Sequence, residues 1–149
     1  MRLIIYNIIV YLILPLTIIK LVYRGIKNKD YLKGWSERFA IYPNSEKNKW
    51  LKRKTLWIHC VSVGETKAIY RLLEQLQKKY PRAHFLITHG TPTGKKVALP
   101  KNKNIHRAYL PYDAFDLVRR FLKFYRPTVG ILIEKEIWPN LISQCNSKK

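Results

Sequence analysis

Acidic residues are scarce in this chain. Nine Asp and Glu stand against 29 Lys and Arg in 149 residues, a formal net charge of +20. An isoelectric point near 10.2 is extreme for an ordinary cytosolic enzyme and implies an anionic partner: nucleic acid, an anionic lipid surface or a phosphorylated substrate. Cysteine is nearly absent too. Cys60 and Cys145 are widely separated, which excludes a disulfide framework or thiolate metal spacing and suits a reducing compartment. His59, His84, His89 and His106 show no i, i+4 pairing, so they read as packing or surface residues rather than metal ligands. The chain carries neither an internal repeat nor a low-complexity tract, and its length suits one domain with a real core.

Charge is missing altogether from Leu3 to Ile19, and Lys20 is the first break before Leu21, Val22 and Tyr23. Such a run is near the lower limit for spanning a bilayer. No small-x-small cleavage site follows it, which argues against a signal peptide. Arg24, Lys27, Lys29 and Lys33 follow instead, with only Arg2 ahead. The positive-inside rule places everything after Tyr23 in the cytoplasm, with Tyr6, Tyr11 and Tyr23 as interfacial anchors. Residues 1–24 are therefore expected to anchor the protein in the membrane, spanning it in preference to lying in the interface. Residues 25–54 read as a basic connector, with a short helix over Asp30 to Phe39 and a turn at Tyr42-Pro43-Asn44-Ser45. Its cluster Lys47, Lys49, Lys52, Arg53 and Lys54 suits either an anionic leaflet or a solvated loop.

From Thr55 onward strands and helices alternate. A strand over 55–61 leads to a helix over 65–79, whose Ile69, Leu72, Leu73 and Leu76 form one apolar stripe. Tyr80-Pro81 stops that helix. A strand from Ala83 to Thr88, a loop at His89–Gly94, a short helix to Ala98 and a strand from Ile105 to Leu110 follow. Asp113 is positioned to cap a helix bearing Val118, Phe121, Leu122 and Tyr125, and Thr128 to Glu134 forms the fourth strand. Short crossovers between apolar strands predict a parallel, Rossmann-like α/β sheet over residues 55–149. Four strands followed by a helix only just begun at Ile137-Trp138-Pro139-Asn140 give the expectation of an incomplete domain.

Two carboxylates end apolar strands about 70 residues apart. In open α/β sheets ligands gather where strand C-termini meet helix N-termini. Ser62-Val63-Gly64-Glu65 has a plain structural reading as a capping box, with Gly64 easing the turn. It has a functional one as well: Glu65, ionised at a helix N-terminus, accepts a proton from an attacking hydroxyl. Glu134 and Glu136 flank Lys135, and a persisting strand points both acids to one face; the plain alternative is a neutralised rim. Thr91-Pro92-Thr93-Gly94 fits either a helix cap or an anion site built on free amides.

Taken together, these segments resemble the N-terminal half of the 3-deoxy-D-manno-octulosonic acid (Kdo) transferases. The likeness rests on the apolar N-terminus, Trp35-Ser36-Glu37-Arg38-Phe39, His59-Cys60-Val61-Ser62-Val63-Gly64-Glu65 and Thr91-Pro92-Thr93-Gly94. It continues through Tyr109-Leu110-Pro111-Tyr112-Asp113 and Glu134-Lys135-Glu136-Ile137-Trp138-Pro139-Asn140. Several motifs in one order are far more specific than any alone. The resemblance implies a GT-B fold of two Rossmann-like domains facing a cleft, with no required metal and no cofactor. It implies Glu65 as general base, Glu134 as an aid at the transition state, and acceptor contacts from Ser62, Gly64, Thr91, Thr93, Gly94 and Glu136. The family has a small polar residue where Lys135 stands and a threonine where His89 stands, which leaves acceptor contacts there open.

On this resemblance the chain is the acceptor half of an enzyme transferring Kdo from CMP-Kdo to the lipid A precursor at the bacterial inner membrane, its catalytic domain cytoplasmic. The CMP-Kdo site belongs to the family's C-terminal domain, so the 149 residues alone are expected to be inactive, and a donor-domain chain becomes a possible partner. Alternative readings are an inactive membrane-bound fragment that binds lipid or a partner chain, and a basic nucleic-acid-binding domain. The anchor and the buried strands count against nucleic acid.

Overall fold

The computed structural model describes residues 2–133 and 136–146. Helix α1, Arg2–Lys27, is long and apolar enough to cross a membrane by length and composition. It does not lead away from the rest of the protein. Tyr6, Asn7, Val10, Leu14, Thr17, Leu21 and Gly25 recur at spacings of one, three and four residues and form its covered stripe, as expected of one helix face. Val10 and Leu14 pack on Ala40, Ala114 and Leu117. The Tyr6 hydroxyl donates to Asp113 at 2.9 Å and the Tyr11 hydroxyl to Asp116 at 2.6 Å. At Gly25 any Cβ would meet the Leu32 side chain at 2.4 Å, so glycine permits the close passage there. The opposite face presents Ile5, Ile8, Leu12, Leu16 and Ile19, all exposed. The helix is therefore docked along most of its length and apolar outward.

The stretch that reads as a connector is built into the domain. It holds 3-10 turns at Lys29–Tyr31, Trp35–Phe39 and Asn44–Glu46, then α2, Lys47–Leu51. Trp50 is buried against His84, His106 and Tyr125, and Tyr42 stacks on Phe124 with centroids 4.4 Å apart. The short helix expected over Asp30 to Phe39 is thus two 3-10 turns, separated at Gly34, whose φ of 67° breaks regular winding.

The remaining elements are β1 Thr55–Cys60, α3 Val63–Ala68, α4 Tyr70–Lys79, β2 His84–His89, α5 Pro92–Lys96, β3 Ile105–Tyr109, α6 Phe115–Tyr125, β4 Pro127–Leu132 and α7 Pro139–Asn146. The helix read as continuous over 65–79 turns at Ile69, between α3 and α4. The four strands are all parallel, in the order β3-β2-β1-β4, which is that of the first four strands of a Rossmann sheet. One face buries Trp57, Leu86, Ala108, Phe121 and Leu141; the other buries Ile58, Cys60, Ile69, Leu73, Phe85 and Ile87. At Gly130 a Cβ would lie 2.7 Å from the Trp57 ring, so glycine lets the indole pass beneath β4. The mixed α/β fold with a parallel sheet is as the sequence predicts.

Asp113 corrects another expectation. It does not cap α6, whose N-cap position is Ala114 without a side-chain bond. Its two oxygens instead accept the Asn140 and Leu141 amides of α7, each at 3.0 Å, together with the Tyr6 hydroxyl. The open amides of a first helical turn need an acceptor, and α7 finds one across the fold rather than in its own sequence. Burial pushes the Asp113 carboxyl above the usual range, while these donors pull it back. Asp113→Ala strands two amides and a hydroxyl, and is expected to cost roughly 3 kcal/mol. Asp113→Asn, which keeps one acceptor oxygen, should cost less. Chemical denaturation followed by circular dichroism checks the order; a wild-type midpoint for the alanine variant would remove Asp113 from this role.

Candidate functional site

Strand order reverses beside β1: β2 and β3 lie on one side and β4 on the other. Such a switch point opens a crevice at the strands' carboxyl ends, where ligands bind in this architecture. The turn Val61–Glu65 sits there. Ser62 is the N-cap of α3, and its Oγ accepts the Glu65 amide at 3.4 Å. The Glu65 carboxylate reaches back, accepting the Val61 amide at 2.6 Å on Oε2 and the Ser62 hydroxyl on Oε1. The capping box is therefore real, displaced so that the glutamate takes the amide one residue ahead of the cap. Both bonds orient the carboxylate at the helix entrance.

The adjacent glycine behaves differently from its neighbours. At Gly90 a Cβ would lie 2.7 Å from the Val61 side chain, and at Gly94 3.1 Å from the Val61 carbonyl, so packing needs both. Gly64 has no positive φ, and a Cβ there would meet nothing nearer than Ser62 Oγ at 3.9 Å. The turn does not require this glycine, contrary to the reading that it eases the backbone. Its effect is to leave the surface beside Glu65 low, which suits close approach by a ligand.

The loop before α5 is tied to the same turn. Thr91 Oγ1 donates to the Val61 carbonyl at 3.0 Å and accepts the Gly94 amide at 3.2 Å. The Thr93 hydroxyl donates to Thr91 Oγ1 at 3.3 Å. Thr91 and Gly94 thus serve the plain cap and the packing, while Thr93 faces solvent.

On the other side of the crevice the Ile133 amide donates to the His59 carbonyl at 3.1 Å, and the Trp138 ring meets the His59 ring edge-on at 5.9 Å. The chain leaves β4 and re-enters α7 beside the end of β1. Glu134 and Lys135 lie outside the described residues, and Glu136 is exposed. Strands β1 and β4 are adjacent and parallel, so Val61 and Ile133, which follow them, leave the sheet at the same edge.

The buried groups beneath this edge are electrically quiet. Burial pushes the His59 imidazole down to about 4 and that of His89 to about 3, so both are neutral near pH 7. It pushes the Cys60 thiol up to about 12, which leaves no thiolate for nucleophilic work. Two residues of the Trp35–Phe39 turn were given no role by sequence reasoning, yet they brace this edge. Glu37 accepts the Tyr109 amide at 2.8 Å and the Lys95 ammonium at 2.7 Å. Arg38 donates to the Gly90 carbonyl at 3.0 Å and covers the Tyr109 ring. Their signal in the sequence was an acid beside a base within an otherwise basic stretch.

Gly64→Ala gives a two-sided expectation. Stability should hold or rise by up to about 1 kcal/mol, because alanine suits a helix better than glycine. Binding of any ligand that approaches Glu65 should fall by about ten- to a hundred-fold, because a methyl occupies the approach. Thermal melts and ligand titration separate the two; unchanged affinity would deny Gly64 any part in binding.

A family model described as 3-Deoxy-D-manno-octulosonic-acid transferase (kdotransferase) matches residues 33–149. A 3-deoxy-D-manno-octulosonic acid transferase of Rickettsia bellii is 32% identical over 146 residues, covering 95% of this chain and 34% of the relative. That of Haemophilus influenzae is 35% identical over 121 residues, covering 80% of this chain and 28% of the relative. A bifunctional glycosyltransferase/methyltransferase of Fusobacterium nucleatum is 37% identical over 99 residues, covering 62% of this chain and 15% of its own. The chain spans about a third or less of the length of these curated relatives. The family model covers the turns that brace the sheet edge, all four strands and the crevice between β1 and β4, and the chain belongs to the 3-deoxy-D-manno-octulosonic-acid transferase family.

Proposed function

We propose that this chain is the acceptor-binding half of a glycosyltransferase that moves Kdo from CMP-Kdo to a lipid A precursor at the inner membrane. The observation that carries the reading is the Glu65 carboxylate, oriented at the β1/β4 switch point beside the open surface of Gly64. An acceptor hydroxyl attacks the anomeric carbon of Kdo while CMP departs with the electron pair of the breaking bond. Glu65 takes the hydroxyl proton as the new glycosidic bond forms. Glu134, on the family resemblance, assists at the transition state. Ser62 orients Glu65, and Thr91 and Gly94 fix the turn, while Gly64, Thr93 and Glu136 meet the acceptor. No cofactor or metal takes part in this scheme, and the donor half is supplied in cis or by a second chain.

The membrane placement we infer rests on α1. Its covered stripe is committed to Ala40, Ala114, Leu117 and Asp113, so crossing a bilayer would require those contacts to part. The exposed Ile5, Ile8, Leu12, Leu16 and Ile19 instead suit a helix lying in the interface, with the domain on the cytoplasmic side. Residues 1–24 then form the anchor, 25–54 the strap that binds it to the domain, and 55–149 the acceptor domain.

The test follows radiolabelled Kdo from CMP-Kdo to the lipid A precursor, with residues 1–149 alone and joined to the donor half. Transfer is expected only with both halves present. Turnover by residues 1–149 alone would overturn the division of labour. A folded, joined protein that transfers nothing would overturn the activity.

A further inference from the structure

His59 lies near the end of β1, two residues ahead of the turn Val61–Glu65, and the transfer scheme assigns it no part. It is 1% exposed, so its polar ring is costly there unless it is hydrogen-bonded. Trp57, two residues earlier, lies on the same face of the sheet. Its indole can only donate, and it gives its N–H to Thr88 Oγ1 at 2.8 Å. Among the described residues the Thr88 hydroxyl proton then has one acceptor, His59 Nδ1, at 2.9 Å. The reverse assignment would send an Nδ1 proton to the Thr88 carbonyl at 3.2 Å and strand the buried hydroxyl. Nδ1 is therefore the unprotonated nitrogen, and the ring proton sits on Nε2. Burial, which pushes the imidazole down to about 4, keeps that ring neutral near pH 7.

Two contacts fasten the chain beyond β4 to this residue. The His59 carbonyl accepts the Ile133 amide at 3.1 Å, and its ring meets that of Trp138 at 5.9 Å with the planes at 89°. Ile133 and Trp138 bracket the connection from β4 to α7, in which Glu134 and Glu136 stand. One residue thus holds that connection at both ends. The backbone bond survives any side chain at position 59. The seat for Trp138 does not, because it needs a flat ring in one orientation, and the Thr88 hydroxyl on the neighbouring strand sets that orientation.

We propose that His59 is a positioning residue of the crevice. Thr88 locks its imidazole as the Nε2–H tautomer, and the locked ring seats Trp138, so that the β4–α7 connection leaves the sheet in one position beside the Glu65 turn. Only the kinetic readout rests on the reading of Glu65 as the base; the spectra need no activity. The test pairs Thr88→Val, which keeps the shape and loses the hydroxyl, with Thr88→Ser, which keeps the hydroxyl and loses a methyl. In the full chain in non-ionic detergent, ¹⁵N-histidine spectra should show His59 as Nε2–H in wild type and Thr88→Ser, and as Nδ1–H in Thr88→Val. With fluorotryptophan incorporated, the Trp138 resonance, assigned by Trp138→Phe, should move in Thr88→Val and His59→Gln and hold in Thr88→Ser. In the protein joined to its donor half, Thr88→Val should lower kcat by about ten- to a hundred-fold while KM for CMP-Kdo stays within about twofold. Thr88→Ser should keep kcat within about threefold of wild type. If Thr88→Val does not fold, the wild-type tautomer and the Trp138 resonance of His59→Gln decide the matter. Absence of transfer in wild type would count against Glu65 as the base and not against His59, which the spectra decide. An Nδ1–H His59 in wild type, a Trp138 resonance unmoved by His59→Gln, or equal losses in Thr88→Val and Thr88→Ser would overturn the proposal.

Discussion

The Asp113 carboxylate takes the first free amides of α7 on its two oxygens and the Tyr6 hydroxyl beside them. These bonds join the two ends of the chain at one buried point. Asn140 adds a bond from its side-chain amide to Asn7 at 2.8 Å. With α7 held there, Trp138 lies on His59 and the chain beyond β4 returns to the end of β1. With α1 held there, Val10 and Leu14 of its covered stripe lie on Ala40, Ala114 and Leu117. Asp113 thus ties α1 and α7 to the domain without itself lying at the crevice.

Strand order does the rest. Because β4 lies beside β1 rather than beside β3, the crevice forms at the turn that carries Glu65. Capping at this turn needs only an acceptor oxygen, whereas the proposed proton abstraction needs the carboxylate, so the box that orients Glu65 does not compete with that role. The high positive charge fits a phosphorylated acceptor at a membrane. Nucleic acid is the weaker reading because the family model over residues 33–149 is that of a sugar transferase.

Local pattern made the sheet readable: short apolar strands with helical stripes between them gave the parallel order of elements and their ends within a few residues. The carboxylate at the end of β1 was legible because Ser-x-x-Glu before an apolar helix has one local meaning and one extra possibility. Long-range partners were not legible. Asp113 stands where a cap for α6 belongs, and nothing nearby in sequence says that α7 claims it. Residues 25–54 look like a linker because their periodicity is weak, yet Arg38, Tyr42 and Trp50 are fixed by residues tens of positions away. The α3–α4 break at Ile69 was hidden because Ile69 and Leu73 stay on one buried face across it. Composition made α1 readable as a membrane segment; only its covered stripe shows how it sits on the domain.

The central claim is that Glu65 removes the acceptor proton, and Glu65→Gln tests it most directly in the protein joined to its donor half. Glutamine keeps the shape and an acceptor oxygen for the turn, so melting temperature and acceptor binding should stay close to wild type. The proton acceptor is lost, so transfer should fall by about 10²–10⁴-fold. Near-normal transfer by a folded Glu65→Gln enzyme would contradict the account and leave Glu65 as a helix cap.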